Sequence, residues 1–278
     1  MSTDAVVIWG ELLWDRFPAD LGGDQLGGAP ANVAWHLAQA GGWARLVTRI
    51  GDDAAGHRAL ARLDGLVDTS LVQVDPERKT GEVTVELSGG EPHYTLHPGR
   101  AWERIACTDA VLEALGDAGV FVYGTLAQRT PDGLAAWRQA IAAAHRRALK
   151  VYDANLRPND RASHAAAEAL GHADVVKLND REVGQLRALL GWDDPVAELR
   201  AGRPRVVVVT HGAAGSTIFP PDTAPIEIPG VPAEPGGDNV GCGDAYLALL
   251  VFGMTSGWDL AASGRAAGRW AAAVAGVR

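Results

Sequence analysis

The sequence predicts an α/β fold, a mainly parallel sheet covered by helices on both faces. Two observations carry that expectation. Short β-branched runs alternate with longer helical patterns, and 47% of the 278 residues are hydrophobic while only 21% are charged, enough to fill a sizeable core. The runs at 5–10 (AVVIWG), 44–51 (ARLVTRIG), 119–124 (GVFVYG), 150–154 (KVYDA), 173–178 (ADVVKL) and 205–210 (RVVVVT) read as buried strands, bounded by Gly, Asp or Asn. Helical patterns at 30–40, 54–63, 131–149, 162–170 and 180–190 separate them. Pro30 and Pro131 suit the first turn of a helix, where a missing N–H costs nothing. Sheets of this kind bind ligands at the carboxyl ends of their strands.

Two segments break the alternation. Residues 12–17 (LLWDRF) form one; the other is 80–96, with the turn SGGE at 88–91. Val83, Val85 and Leu87 share one face and Thr84 and Glu86 the other, the pattern of an antiparallel hairpin with one solvated side. Such a hairpin is too short to stand alone. Its apolar face is expected to pack on the active site or against a second subunit's hairpin in a two-fold dimer. The expected organisation is one α/β domain over 1–278, with lid segments at about 12–18 and 80–98.

Composition excludes several function classes. A net charge of −9, from 34 acidic and 25 basic residues, would repel a phosphate backbone and argues against nucleic-acid binding. Cys107 and Cys242 are the only cysteines and fit neither a C-x-x-C pair nor a zinc spacing, as expected in a reducing compartment. The N-terminus lacks the basic and long apolar regions of a signal peptide, and no apolar stretch reaches ~18 residues. A soluble cytoplasmic protein with no membrane partner is the expectation. No G-x-G-x-x-G follows the first strand and no G-x-x-x-x-G-K-[ST] occurs, against dehydrogenases and P-loop enzymes.

Chemistry concentrates at 236–250 (GGDNVGCGDAYLALL). Gly241, Cys242 and Gly243 immediately precede an apolar helical run, so their backbone N–H groups would point out of the helix start, where the dipole also favours an anion. Asp244 in the first turn would sit beside that anion. Phosphoryl transfer needs this pairing, donors for the moving phosphoryl group and a carboxylate to take the acceptor's proton. An Asp that merely favours the helix dipole, after a tight glycine turn, has the same spacing. Upstream, Gly27 and Gly28 would let a ligand approach the backbone, and Asn32 and Asp15 offer donors and acceptors to a polyol. A Gly-Gly turn opening a helix explains the same residues.

Together these stretches resemble the ribokinase (phosphofructokinase-B-type) sugar kinase family. GCGD at 241–244, after Asp238, Asn239 and Val240, is similar to its C-terminal signature, and 27–56 to its N-terminal one. Between them stand, in the family's order, DANLR at 153–157, KLNDRE at 177–182 and VTHGAAG at 209–215. The resemblance spans residues 5–278, and GELLWD at 10–15, LGGAPAN at 26–32 and GTLAQR at 124–129 are most similar to bacterial fructokinases.

The resemblance implies a ribokinase-like fold with a small β-sheet lid, and phosphorylation of a small sugar by ATP. Asp244 would be the base, and Gly241, Cys242 and Gly243 the anion hole. Asp15, Gly27, Gly28 and Asn32 would hold sugar hydroxyls, with Gln128 or Arg129 a further contact. Asn155, Arg157 and Lys177 would approach the nucleotide phosphates, and Thr210, Gly212 and Gly215 would lie along the nucleotide. Asn179 and Glu182 would order Mg²⁺ through water; Asp238 and the Val240 carbonyl would belong to a K⁺ site. D-fructose is the expected acceptor. Another acceptor (2-keto-3-deoxygluconate, ribose or a nucleoside) and a catalytically weak sugar-binding relative stay open. Asn239 stands where the family usually has Thr and Cys242 where it has Ala. The sequence ends at Arg278, where the family continues through a Gly-Ala loop beside the adenine and cation sites, which implies weaker ATP binding and leaves K⁺ dependence open.

The remaining candidates have simpler explanations. Asp52 and Asp53 are adjacent in a turn and would point apart, unlike a glycosidase pair. His93 and His97 lack a third ligand at matching spacing. Trp14 and Trp102 are read as core or rim before sugar-stacking platforms. His145, Arg146 and Arg147 are expected to complement the end of the 131–149 helix.

Overall fold

The computed structural model describes residues 5–18, 23–88, 91–156, 163–234 and 239–276. In chain order, β1 (Val6–Trp9) is followed by β2 (Leu13–Arg16), β3 (Asp24–Gly27), α1 (Ala29–Gln39), β4 (Ala44–Val47), β5 (Arg49–Gly51), α2 (Ala54–Leu63) and β6 (Gln73–Asp75). Then come β7 (Gly81–Ser88), β8 (Glu91–Leu96), a 3₁₀ turn at Ala101–Arg104, α3 (Asp109–Asp117), β9 (Val120–Gly124) and a second 3₁₀ turn at Leu126–Gln128. The chain continues through α4 (Pro131–Ala143), β10 (Leu149–Asp153), α5 (Ser163–His172), β11 (Val175–Asn179), α6 (Asp180–Leu190) and α7 (Pro195–Ala201). It closes with β12 (Val206–Thr210), β13 (Gly215–Phe219), β14 (Ile226–Pro229), α8 (Cys242–Thr255) and α9 (Leu260–Ala275).

The main sheet has eight strands in the order β14-β13-β12-β11-β10-β9-β1-β4. From β4 to β12 all neighbours are parallel; β13 and β14 add an antiparallel edge. Period-2 alternation sorts its side chains between two cores. Val7, Trp9, Phe121, Tyr123, Val176 and Val207 pack under Leu115 of α3, Trp137 of α4, Leu186 of α6 and Leu199 of α7. Val6, Ile8, Val120, Val122, Val175 and Val208 face Val33 and Leu37 of α1, Leu63 of α2, Leu250 of α8 and Ala267 of α9. The expected α/β sandwich is the fold observed.

Several elements differ from the sequence reading. Residues 44–51 make two strands, because the chain turns at the buried Thr48 and β5 leaves the main sheet to pair in parallel with β6. The continuous apolar run does not record that turn. The helix expected over 131–149 stops at Ala143; Ala144 leaves helical geometry and the His145 N–H bonds the Leu115 carbonyl. His145, Arg146 and Arg147 therefore lie beyond the helix. The strands β13 and β14 and the helices α3, α7 and α9 were not anticipated.

The lid expected at 12–18 and 80–98 is a four-stranded sheet, β3-β2-β7-β8, with the additional strand β3. On one face Leu13, Val83 and Val85 are buried with Phe17 and Leu96 beside them; the side chain of Leu87 lies outside those described. On the other, Trp14 donates from its indole N–H to the Ala55 carbonyl (3.0 Å) and lies under the Arg58 guanidinium (4.5 Å), tying the lid to α2. Trp14 and Trp102 are both core residues.

Asp53 fastens the lid's base. It caps α2, accepting from Gly56 N–H (2.8 Å), and also accepts from the Thr80 hydroxyl (2.7 Å) and N–H (2.9 Å). Asp52 instead faces His57 (3.2 Å), so the two carboxylates do point apart. Burial opposes ionisation of Asp53, but the hydrogen bonds from Thr80 and Gly56 hold its pKa below the ordinary aspartate value. Asp53→Ala should cost about 1–2 kcal/mol at neutral pH, the worth of a helix cap with partly screened charge, read as a shift in urea midpoint. A carboxyl with a lowered folded pKa stabilises above the ordinary carboxylate range and loses that contribution as pH falls through the folded value. The difference between the two proteins should therefore close in acid.

Candidate active site

Among the helix starts whose caps are described, two at the carboxyl edge of the sheet lack a side-chain cap. Asp53, Thr108, Thr130, Asn179, Asp194 and Asp259 cap α2, α3, α4, α6, α7 and α9. The caps of α1 and α8 are Gly28 and Gly241, which supply no side-chain acceptor. Gly241 is left-handed (φ 78°), a conformation that favours glycine. These helix starts face each other across a cleft of about 830 Å³. The Asn32 amide donates to Asp244 Oδ2 at 2.8 Å, joining α1 to α8 and fixing the carboxylate in the first turn of α8.

The lid closes one side of this cleft. Asp15 of β2 pairs with Val83 of β7, and Val83 with Leu96 of β8, so the three share a row and face inward with Tyr94. Gly27 is opposite Leu13 in the lid register, and a Cβ there would collide with Asp15 Oδ2. Gly28 and Asn32 line the same cleft, as do Asn155, Lys177, Asn179, Glu182, Val240, Gly241 and Gly243. Asn155 is itself left-handed (φ 37°) where the chain leaves β10.

Beneath the start of α8 lies a buried charge cluster. Lys177 Nζ bonds Asp153 Oδ1 at 3.0 Å, and a Cβ on Gly243 would stand 3.0 Å from the same ammonium. Burial works against the charge on Lys177, yet Asp153, Glu182 and Asp244 hold its pKa above the usual lysine value. Asn179 and Glu182 form a reciprocal capping box at the start of α6 (2.8 and 2.9 Å), and Glu182 Oε1 accepts from Leu156 N–H (3.2 Å). Burial raises the Glu182 pKa against the pull of Lys177. Both of its oxygens are thus engaged by backbone. Among the described residues no group of three or more His, Cys, Asp or Glu side chains could hold a metal.

A second cleft of about 390 Å³ adjoins the first at Lys177, Asn179 and Gly243 and extends past Cys242, Thr210, Gly212 and Gly215 toward Tyr246 and Ile228. Of the residues named from the sequence, Asp15, Gly28, Asn32, Arg129, Asn155, Glu182, Val240 and Asp244 line the first cleft, Thr210, Gly212, Gly215 and Cys242 the second, and Lys177, Asn179 and Gly243 both. Three others stand apart. Gln128 is 2% exposed and its amide donates back to the Gly124 carbonyl, so it turns away from the cleft and only Arg129 faces it. Arg157 and Asp238 lie outside the described residues. Sequence reasoning gave no role to Asp153, Glu103 or Tyr94. Asp153 carried a signal, an acid closing an otherwise apolar strand; Glu103 and Tyr94 carried none.

A model of the pfkB family carbohydrate kinases matches residues 22–278. The chain belongs to this family. The kinase is 30% identical over 268 residues to probable fructokinase-3 of Arabidopsis thaliana, spanning 88% of this chain and 76% of the relative. It is 26% identical over 248 residues to a putative sugar kinase of Pyrococcus horikoshii, spanning 86% and 77%. Among solved structures, a fructokinase of Xylella fastidiosa superposes with a TM-score of 0.80 at 25% identity, covering 99% of the kinase and 92% of that chain. In the kinase no described helix is long and apolar enough to cross a membrane.

The contact between Gly27 and Asp15 is testable. A methyl group at Gly27 must displace the Asp15 carboxylate, so Gly27→Ala should lower kcat/KM for the acceptor about tenfold or more, with KM for ATP and the melting temperature nearly unchanged.

Proposed function

We propose that the kinase transfers the γ-phosphoryl group of ATP to a hydroxyl of a small sugar, with D-fructose the first acceptor to test. The observation that carries this reading is the uncapped start of α8 beside an Asp244 carboxylate held by Asn32 at 2.8 Å. The name of the Arabidopsis relative supports fructose as acceptor.

In this mechanism the sugar lies under the lid, its hydroxyls held by Asp15, Asn32 and the backbone at Gly27 and Gly28. The reacting hydroxyl faces Asp244. As its oxygen attacks the γ-phosphorus, the proton passes to the Asp244 carboxylate and the bond from phosphorus to the ADP oxygen breaks. Negative charge developing on the phosphoryl oxygens is met by the N–H groups at Gly241, Cys242 and Gly243, reinforced by the helix dipole. Lys177 and Asn155, with Arg157, would serve the phosphates, and Thr210, Gly212 and Gly215 the rest of the nucleotide. Mg²⁺ would shield the nucleotide phosphates when bound. With both Glu182 oxygens engaged, Asn179 and Glu182 would hold it through water. The Val240 carbonyl and Asp238 would hold K⁺ if the site takes one. The reading includes a single functional domain over 1–278 working in the cytoplasm, and a lid edge that meets a second copy in a homodimer.

Asp244→Asn tests the reading. An amide keeps the shape and loses the proton acceptor, so kcat should fall about 10²–10⁴-fold, or ~3–5 kcal/mol of barrier. ATP binding should persist, because its donors there are backbone groups. If Asp244 only favoured the helix dipole, the substitution would cost ~0.3–1 kcal/mol of stability and leave turnover per folded molecule intact. A coupled ADP-release assay over a sugar panel, with a melting curve on the same preparation, separates these outcomes.

A further inference from the structure

Alternation along two neighbouring strands puts a carboxylate and an amine on one face of the sheet. Val151 and Val175 belong to the core beneath α1 and α8, Tyr152 and Val176 to the opposite one. Asp153 and Lys177, each two residues past its valine, therefore return to the α8 side. Parallel pairing of β10 with β11 sets them directly opposite each other. Both side chains are 6% exposed. The lysine stem is long and flexible, and its ammonium is held by the 3.0 Å bond to Asp153 Oδ1. Aspartate is the shorter partner, so the acid fixes the place of the amine.

That place is where the two clefts meet. Lys177, Asn179 and Gly243 line both of them. At residue 243 a Cβ would stand 3.0 Å from Lys177 Nζ and 3.8 Å from its Cε. Glycine thus lets the first turn of α8, which no side chain caps, close onto the ammonium. A cation and a helix start converging on one point favour an anion there. An ammonium has three donors, and among the described residues one is used, on Asp153. Asp153, Glu182 and Asp244 hold the lysine pKa above its ordinary value, so the group stays charged. In the proposed reaction, the group that passes between the clefts is the phosphoryl group.

We propose that Asp153 is a positioning residue for phosphoryl transfer, holding the Lys177 ammonium at the junction so that its remaining donors meet the phosphoryl group in passage. This rests on the kinase reading and deepens it. Lys177 touches the phosphoryl oxygens, and Asp153 acts through Lys177. No proton leaves the ammonium in this step; its charge offsets the charge developing on those oxygens.

Steady-state kinetics and melting curves on a set of variants test it. Lys177→Met should lower kcat about 10²-fold or more, the cost of one donor to a transition-state charge. Asp153→Asn keeps the ammonium and loses its anchor. It should lower kcat about tenfold or more and leave KM for the sugar nearly unchanged. Asp153→Glu, which keeps the charge pair but moves the carboxylate by one methylene, should also lower kcat about tenfold, and it decides the question should Asp153→Asn not fold. Asp153→Asn combined with Lys177→Met removes both charges, so it should regain melting temperature lost by either single variant yet keep the low kcat of Lys177→Met. Wild-type kcat in a folded Asp153→Asn or Asp153→Glu protein overturns the proposal. Recovery of wild-type kcat by the double variant overturns it too, since that is the behaviour of a structural counter-charge only. Failure of the kinase reading itself would appear separately, as absence of sugar-stimulated ADP release in wild type.

Discussion

The parallel order of strands β4 through β12 is the constraint on which the site depends. A parallel strand followed by a helix delivers the helix N-terminus to the carboxyl edge of the sheet, so unsatisfied N–H groups collect there. The chain spends side-chain caps on six helices and withholds them from α1 and α8. Those two starts meet across the cleft, joined by Asn32 and Asp244. The Asp244 carboxylate is thereby held beside backbone N–H groups at a helix start that no side chain caps.

Electrostatics reinforce this arrangement from below. A buried ammonium would be costly without a partner, and removing either member of such a pair strands the other. Lys177 and Asp153 sit together at the ends of adjacent strands, under the first turn of α8. With Glu182 and Asp244 nearby, the ammonium serves as a structural counter-charge under the first turn of α8. Arg129 is a second such case, a cation paired with the buried Glu103 carboxylate.

The lid is a packed part of the body. Trp14 and Asp53 bind its outer face and base to α2, and Leu13, Val83, Val85 and Leu96 bury the inner face over the cleft. One surface of the lid therefore both lines the cleft and carries part of its buried apolar packing.

Much of this was legible in the sequence. Local patterning determined the α/β class, because buried parallel strands need continuous β-branched runs and covering helices need their own period. Ordered motifs also marked Asp15, Asn32, Lys177, Asn179, Glu182 and Asp244 as a common site, since close backbone approach and helix starts demand particular residues at fixed spacing. What local pattern lacks is direction across the chain. It could not show the turn at Thr48 that sends β5 to another sheet, nor the inward turn of Gln128 beside an outward Arg129. It gave Glu103 and Asp153 no role, because each acquires one only from a partner brought close by folding. Pairing of charges more than twenty residues apart is set by strand order and side-chain burial, and those exist only in the tertiary structure.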